Sequence, residues 1–535
     1  MDSRNFLQRM GLAACLSFCV AEAPADSSGA MPPDVGPVAV IRNDSGLAAD
    51  WFRQGPFMEI LVRSYQDSNN DGIGDLRGLI SRLDYLQALG IRGIWLMPIY
   101  PSADHDHGYA VVNYRGIDPD FGTLADFDTL LREAHRRGIG VILDYVMNHS
   151  AATHPLFIDS QRPDSPWRSL YVWESAKPQG WNAYGGDPWH AAAGAWYYSA
   201  FDTSMPDFNF KNPQALDFHL NNLKFWLNRG VDGFRFDAAG ALVENGPLEW
   251  ENQPQNHAIL HQIKNLLAQY GKRYMVAEAP GAPSEFSAPD SAGSAFAFGL
   301  QSAIIESVTH GRAMPALLDY LKTHPVAQMG TFLSNHDTFA GARVFRQLDG
   351  DEADYRMAAA TLLTLPGIPF IYYGEEIGQG MSPGVHYDDQ ALRGPMSWDA
   401  GNGFSSHAPY RPPADNKATY NVAQEQNDPA SLLSHYRTLI RLRADVAALA
   451  EGDFKLLSAA DAPMLVFLRS RGDSQALVAI NYSGTSARFT LEPELATRTW
   501  KTAYPASGRQ RYAPNGSIKW IDVRAREAVV LTDAH

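Results

Sequence analysis

From residue 57 onward, runs of consecutive apolar residues alternate with stretches whose apolar positions recur every three or four residues. The runs 57–63, 91–97, 140–144, 231–237, 273–278, 295–299, 329–333 and 368–372 are largely apolar. Strands covered on both faces read this way, whereas strands with one wet face alternate. Between them, 76–89, 124–137, 213–228, 256–270, the stretch up to about 323, 353–365 and 430–445 carry helical periodicity. Strands separated by helices build parallel βα units. About eight units of this kind predict an α/β fold, a closed (β/α)₈ TIM barrel.

The pattern breaks in three places. Residues 150–210 are rich in Trp, Tyr, Gly, Pro and Asp and have little periodicity, which predicts an inserted irregular domain after the third strand. From 451 to 535 short β-prone runs such as 465–468 and 476–480 stand between turns, and an antiparallel β-sandwich domain is expected. The barrel then comprises 51–149 and 211–450. Residues 26–50, rich in Pro, Ala, Gly and Ser, read as a linker. Residues 1–25 read as a signal peptide: Arg4 and Arg9 are basic, 11–20 is a short apolar run, and small residues follow. Export to the periplasm or the exterior is expected. Residues 4–8 resemble half of a twin-arginine signal, with Ser3 where the first Arg belongs. Leu12-Ala13-Ala14-Cys15 resembles a lipoprotein cleavage box, although the apolar run before it is poor. Both cysteines, Cys15 and Cys19, lie in this leader, so a chain cut after it has no thiol for disulfides or metal.

With 535 residues the chain exceeds one ordinary core. Its net charge of −15 argues against nucleic acid as a partner. No later apolar stretch is long enough to span a membrane, and a monomer is expected. Twelve Trp suit a sugar-stacking surface as well as a large core.

In such a barrel, chemistry collects where the strands end. Reading those ends yields Asp144 with Asn148 and His149, then Arg235 and Asp237, then Glu278, then His336 and Asp337. Arg235 and Asp237, two apart on a strand, point to the same side. A cation so placed favours the ionised carboxylate. Two carboxyl groups of different environment beside one bond are what glycoside hydrolysis requires. Any one of these acids alone is more often an N-cap or a structural ion pair; three at three strand ends are not. A separate constellation, Asp67-Ser68-Asn69-Asn70-Asp71-Gly72-Ile73-Gly74-Asp75, alternates oxygen ligands around a turn glycine, like the first half of an EF-hand loop. Its twelfth position is Gly78 rather than Glu, so it is not an EF-hand. Such residues also form metal-free turns.

Asp144-Tyr145-Val146-Met147-Asn148-His149, Gly233-Phe234-Arg235-Phe236-Asp237, Ala277-Glu278 and Leu333-Ser334-Asn335-His336-Asp337 resemble, in order and spacing, the four signatures of the α-amylase family of retaining α-glucan enzymes. Met205-Pro206-Asp207-Phe208-Asn209 resembles a further one, intermediate between the oligo-1,6-glucosidase-like and neopullulanase-like groups. The resemblance covers almost everything from Phe57 onward. It implies Asp237 as nucleophile, Glu278 as general acid/base and Asp337 as stabiliser of the distorted sugar. Tyr109, Asp144, His149, Arg235 and His336 would line the subsite of the cleaved glucosyl unit. Glu278 would be kept protonated by its carboxylate neighbours. The 67–75 loop resembles the metal loop after the first barrel strand of several members, which implies a structural Ca²⁺ on Asp67, Asn69, Asp71, Asp75 and the Ile73 carbonyl.

Signals for substrate conflict. Ala238 resembles members that prefer α-1,4 bonds, while the Lys-His pair of many endo-amylases is replaced by Gly240 and Ala241. Asp106 and Arg393 match a pair that grips the terminal glucose in exo-acting relatives, whereas Ala110 and Asn113 replace acids usual after Tyr109. The reading leans to an α-amylase on starch and maltooligosaccharides, then an exo-α-glucosidase, then a glucosyltransferase or isomerase. A non-catalytic sugar-binding relative would have lost one of the acids, and all three are present.

Overall fold

The structure, a computed structural model, describes residues 32–385, 389–505 and 518–533. The leader expected over 1–25 lies outside the described residues. Seven parallel strands form one sheet: β1 (Phe57–Ile60), β2 (Gly93–Leu96), β3 (Gly140–Tyr145), β4 (Gly233–Phe236), β5 (Tyr274–Ala277), β6 (Gly330–Thr331) and β7 (Ile368–Tyr372). Their order is β5-β4-β3-β2-β1-β7-β6. The gap between β5 and β6 is closed by residues 295–296, which bridge in parallel to Ala277 on one side and Gly330 on the other. The result is an eight-membered barrel with helices outside and a C-terminal antiparallel domain.

Side chains two apart on these strands share a face. Phe57, Trp95, Ile142, Tyr274, Val276, Phe296 and Phe370 therefore fill the barrel interior as one cluster. Continuing the same register by two residues carries Glu59, Asp144, Arg235, Asp237 and Glu278 inward at the top of that cluster, so apolar filling gives way to charge at the strands' C-terminal ends. Gly233 is required where β4 meets β5: a Cβ there would lie 1.7 Å from the Tyr274 carbonyl oxygen.

The outer helices follow their apolar spacing. Helix Pro213–Arg229 buries Ala215, Phe218, His219, Asn222, Leu223, Trp226 and Leu227, starts at the Asn212 cap and stops at left-handed Gly230. Helix Leu124–Arg136 opens with a Thr123–Asp126 capping box. Three expectations need correction. The strand expected over 57–63 ends at Ile60, and Val62–Tyr65 is one helical turn that carries the chain out of the barrel. The helix expected over 76–89 is two, Leu76–Ser81 and Leu83–Leu89, broken at Arg82, whose ψ of 2° is not helical. The strand expected over 295–299 is reduced to two bridges.

Residues 32–50 do not hang free. Asp34 is buried, accepting from the Tyr114 amide at 3.0 Å and meeting His154 Nε2 at 3.0 Å. The amides of Val38 and Ile41 donate to the Asn221 and Asn228 side chains. The insertion carries a small antiparallel sheet, Trp173–Glu174, Ala195–Tyr198 and Trp189–Ala192, over an aromatic cluster with Trp181 and Tyr184. In the C-terminal domain a five-stranded antiparallel sheet faces the pair Ala487–Thr490 and Trp520–Val523. Among the described residues no helix is long and apolar enough to cross a membrane.

Candidate active site

The site is built around one buried guanidinium. Arg235 is 1% exposed. Its Nη1 donates to Asp144 Oδ1 at 2.7 Å and to Asp237 Oδ1 at 2.8 Å, and its Nη2 pairs with Glu278 Oε2 at 2.6 Å. The two carboxyl groups expected to act together thus meet the two ends of a single planar cation. β4 and β5 are paired in register, Phe236 opposite Ala277, which brings the residues that follow them side by side. The Glu278 amide donates to the Phe236 carbonyl at 2.9 Å, and Glu278 Oε2 accepts from the Ala238 amide at 3.0 Å. Ala238 sits at φ 44°, in the left-handed region, so the chain turns sharply after Asp237.

Asp337 arrives from the loop after β6. It lies 3.0 Å from His336 Nε2 and 3.2 Å from Arg393 Nη2. His336 Nδ1 meets Glu59 Oε1 at 2.5 Å. Tyr109 joins the two halves: its hydroxyl donates to Asp144 Oδ2 at 2.8 Å and lies 2.8 Å from His336 Nε2 and 3.2 Å from Arg235 Nη1. The Tyr109 ring stacks beside the His336 ring at 5.6 Å. Asp144, Arg235, Asp237, Glu278, His336 and Asp337 are therefore one connected network.

Burial sets the protonation here. It pushes Glu278 up to about 7, against Arg235 and with the help of Asp237 and Asp337. Burial, more than the carboxylate neighbours expected to do so, raises this group. It also lifts Asp237 to about 6 despite Arg235, so the pull of the cation does not by itself keep this acid low. Asp337 goes the other way: burial is overcome by His336, Arg393 and Arg235, and the group falls well below the usual carboxylate range. His336, disfavoured by burial but flanked by Asp337 and Glu59, rises to about 10 and is a cation, so both ring nitrogens donate. Glu59, Asp144, Asp237, Glu278 and Asp337 outnumber Arg235, His336 and Arg393 by two, which favours proton retention, and Glu278 is raised to about 7 against about 6 for Asp144 and Asp237.

Asp144 was expected among the residues touching sugar. It is 0% exposed, with Arg235, Tyr109 and Trp95 Nε1 (3.3 Å) on its oxygens, so it positions the others instead. His149 is buried beside the Tyr109 backbone, and burial lowers it to about 4, leaving a neutral ring 5.5 Å from Phe201. The Met205–Asn209 signature is tied to the first one: the Phe208 amide donates to the Asn148 carbonyl, and Asn148 Nδ2 to Asp207 Oδ2, both at 2.9 Å. Arg393 reaches Asp106 Oδ2 only at 3.8 Å, while Arg411 holds Asp106 Oδ1 at 2.7 Å. Sequence reasoning missed Glu59, Trp95, Arg411 and Asp389, whose Oδ2 lies 3.4 Å from Arg393 Nη2. Glu59 had a signal, a lone acid in the apolar run of β1; Arg411 lies in an irregular stretch and had none.

In the 67–75 loop the side chains close on the loop's own backbone. Asp67 Oδ1 accepts from the amides of Asn69 and Asn70, and Oδ2 from Gly72 and Ser405 Oγ. Asn69 and Asp71 accept from the amides two residues on. Asp75 accepts from Ser68 and caps helix Leu76–Ser81 through the Gly78 amide at 2.8 Å. Among the described residues no group of three or more His, Cys, Asp or Glu is gathered to hold a metal. The donors are all oxygen, and Gly72, at φ 91°, brings the loop so close to Ala408 that a Cβ would lie 2.3 Å from its carbonyl oxygen.

The α-amylase catalytic-domain profile matches residues 59–452. Alpha-amylase 3 of Dictyoglomus thermophilum is 33% identical over 468 residues, 84% of this chain and 89% of that one. The trehalose synthase/amylase of Mycobacterium tuberculosis is 33% identical over 544 residues, covering 89% of each, and the oligo-1,6-glucosidase of Parageobacillus thermoglucosidasius 31% over 529, covering 84% of this chain and 93% of its own. Among solved structures, α-amylase from H. orenii superposes with a TM-score of 0.77 at 31% identity, over 90% of this chain and 99% of that one. The charged network at the mouth of this barrel is thus that of a chain that belongs to the α-amylase family.

Proposed function

We propose that the protein is a retaining glycoside hydrolase that cleaves α-1,4-glucosidic bonds of maltooligosaccharides and starch-type glucans. The observation that carries this reading is the placing of Asp237 and Glu278 on the two ends of Arg235. Asp237 attacks the anomeric carbon while Glu278 gives its proton to the departing glycosidic oxygen. The sugar is then held by an ester to Asp237. Glu278, now ionised, takes a proton from the incoming water, whose oxygen displaces Asp237. Asp337, kept ionised by His336 and Arg393, supports positive charge developing on the ring.

A second reading is favoured by a specific feature. Arg411 and Arg393 converge on Asp106 beside Asp337, a polar barrier suited to ending the site at a terminal glucose. Exo action on short oligosaccharides, or transfer of the glucosyl unit to a sugar instead of water, fits that feature. The activities for which relatives are named, trehalose synthase and oligo-1,6-glucosidase among them, fit it too. Separating the products from maltoheptaose tests all of this. Mixed short maltodextrins mean endo cleavage, glucose with maltohexaose means exo cleavage, and new linkages mean transfer. Unchanged substrate would sink both readings.

The 67–75 loop fits a hard cation by its all-oxygen donors, with Asp67, Asn69, Asp71, Asp75 and the Ile73 carbonyl to hold Ca²⁺. Bound there the ion would fix the loop and take no part in bond cleavage.

A further inference from the structure

The other end of the barrel holds a cavity of about 280 Å³. It lies beside the first residues of β5 and β7, the strand ends opposite the catalytic acids. Its wall includes Arg53, Lys264 and Arg273 and no Asp or Glu. In a chain of net charge −15, three cations around one small cavity repel one another with no carboxylate in the wall to offset them.

Two of the three, Arg53 and Lys264, have no charged partner among the described residues; Arg53 reaches only the Ala327 carbonyl at 3.4 Å, and Lys264 the Pro289 carbonyl at 2.8 Å. Arg273 has a buried side chain: its Nη2 donates to Asn43 Oδ1 at 2.5 Å, its Nη1 lies 3.8 Å from Asp232 Oδ1, and only its Nε has no hydrogen-bond partner. Asp232 Oδ2 is engaged by His135 at 2.7 Å and the Val141 amide at 2.9 Å, while Oδ1, the oxygen nearest Arg273, makes no hydrogen bond. Two neutral features complete the wall. Phe52 and Tyr274 stack at 4.8 Å, and Ser294 Oγ lies 3.0 Å from the Tyr274 hydroxyl. Gly293, at φ 81°, leaves room for the ammonium: a Cβ there would come within 2.7 Å of Lys264 Nζ.

We propose that this cavity is a binding site for a small phosphate-bearing anion, either inorganic phosphate or a monosaccharide monophosphate. Arg offers a planar fork of donors and Lys a point charge, the combination that recognises phosphate oxygens. The volume sits at the small end of ligand sites, which suits a small anion. The site is remote from the acids, so it is a place for ligand-linked stabilisation and not for bond cleavage.

The test is thermal unfolding of the whole protein, with phosphate titrated against sodium chloride at matched ionic strength. A ligand that binds only the folded chain raises the melting temperature with concentration. Phosphate is expected to raise it well beyond chloride, and Lys264→Gln to remove most of that rise. Lys264 donates only to the exposed Pro289 carbonyl among the described residues, so this variant folds and keeps its activity on maltoheptaose in phosphate-free buffer. Arg53→Gln serves as a second variant with the same expectation. A rise at tenfold lower glucose 6-phosphate than inorganic phosphate assigns the sugar-borne ligand; equal potency assigns free phosphate. Phosphate no better than chloride, or a full rise retained in both variants, overturns the proposal. The readout is binding, so it stands or falls separately from the catalytic reading.

Discussion

Arg235 is a cation with three carboxyl groups on it, and that crowding decides how the site responds to pH. Burial lifts Asp237 to about 6 and Glu278 to about 7. The two interact, so the limbs of a rate profile belong to the pair. The expected dependence of kcat/KM on pH is a narrow bell, falling below about 6 as Asp237 gains its proton and above about 7 as Glu278 loses its own. Glu278→Gln should abolish the alkaline limb and lower turnover by about 10²–10⁴-fold. It should spare more of the first step when an aryl glucoside supplies a leaving group that needs no proton. An alkaline limb that persists in Glu278→Gln would place the proton elsewhere. Asp237→Asn, which cannot form the ester, should lose several orders of magnitude while keeping the wild-type circular dichroism spectrum; activity near wild type would remove Asp237 as the nucleophile.

The acids were legible in the sequence because each follows an apolar run that could only be a buried strand, and their side of the barrel follows from counting by two. What was not legible is what one guanidinium does at once. The local pair Arg235 and Asp237 suggested a private ion pair; Asp144, 91 residues before Arg235, shares the same Nη1, Glu278, 43 residues after it, takes Nη2, and together they dilute the guanidinium's effect on any one acid. Arg411 and Asp389 come from irregular stretches that carry no periodicity to place them. A second titration is equally invisible in the chain. Glu375, accepting from Ser334 and Tyr436, is raised by burial from 4.5 to about 8. The folded state therefore binds its proton more tightly than the unfolded chain does, and stability contributed below about 4.5 is lost as pH rises towards about 8. Glu375→Gln should not show that loss, so its melting temperature relative to wild type should climb between pH 5 and pH 8. A constant difference across that window would refute the assignment.

At the scale of elements, pattern predicts buried strands better than it predicts their ends. β1 was read three residues too long because Leu61 and Val62 are as apolar as the strand before them; nothing in composition marks the turn that Val62–Tyr65 makes. Residues 295–298 pack into the barrel as expected but lack a continuous ladder, since Phe296 and Phe298 are held by the aromatic interior as much as by backbone bonds. The 67–75 loop shows the opposite case, a motif clear in sequence whose ligand is not. Its side chains already satisfy the loop's amides, so a cation would add to a turn that exists without it. If Ca²⁺ binds there, EDTA should lower the melting temperature and Ca²⁺ in excess of Mg²⁺ should restore it. Asp71→Ala, which removes an exposed donor, should behave like the chelated wild type and be insensitive to either. Identical melting curves with and without EDTA, in a sample shown by elemental analysis to be metal-free, would leave the loop as a turn.

The whole molecule is held together through a sheet with two dry faces. In the strands Met464–Arg471, Ser474–Asn481 and Glu527–Asp533, alternate residues go to opposite sides. Leu465, Phe467, Ala476, Val478, Ile480, Ala528 and Val530 join the barrel's outer core, while Met464, Val466, Leu477, Ala479, Val529 and Leu531 face Trp500, Ile521 and Val523. Tyr482 and Thr361 hydrogen-bond across the junction at 2.9 Å, and Arg526 pairs with Asp354. A domain whose one face is finished only by its neighbour has no separate stability to lose. Barrel and C-terminal domain should therefore unfold in one calorimetric transition. Leu477→Ala, on the face away from the barrel, costs about 2–5 kcal/mol by loss of buried volume. It should move that single transition down as a whole, and so should Leu465→Ala on the other face. A Leu477→Ala variant that melts in two steps, the first leaving maltoheptaose cleavage intact, would show the C-terminal domain to be an independent unit, and the shared core would not be what couples them.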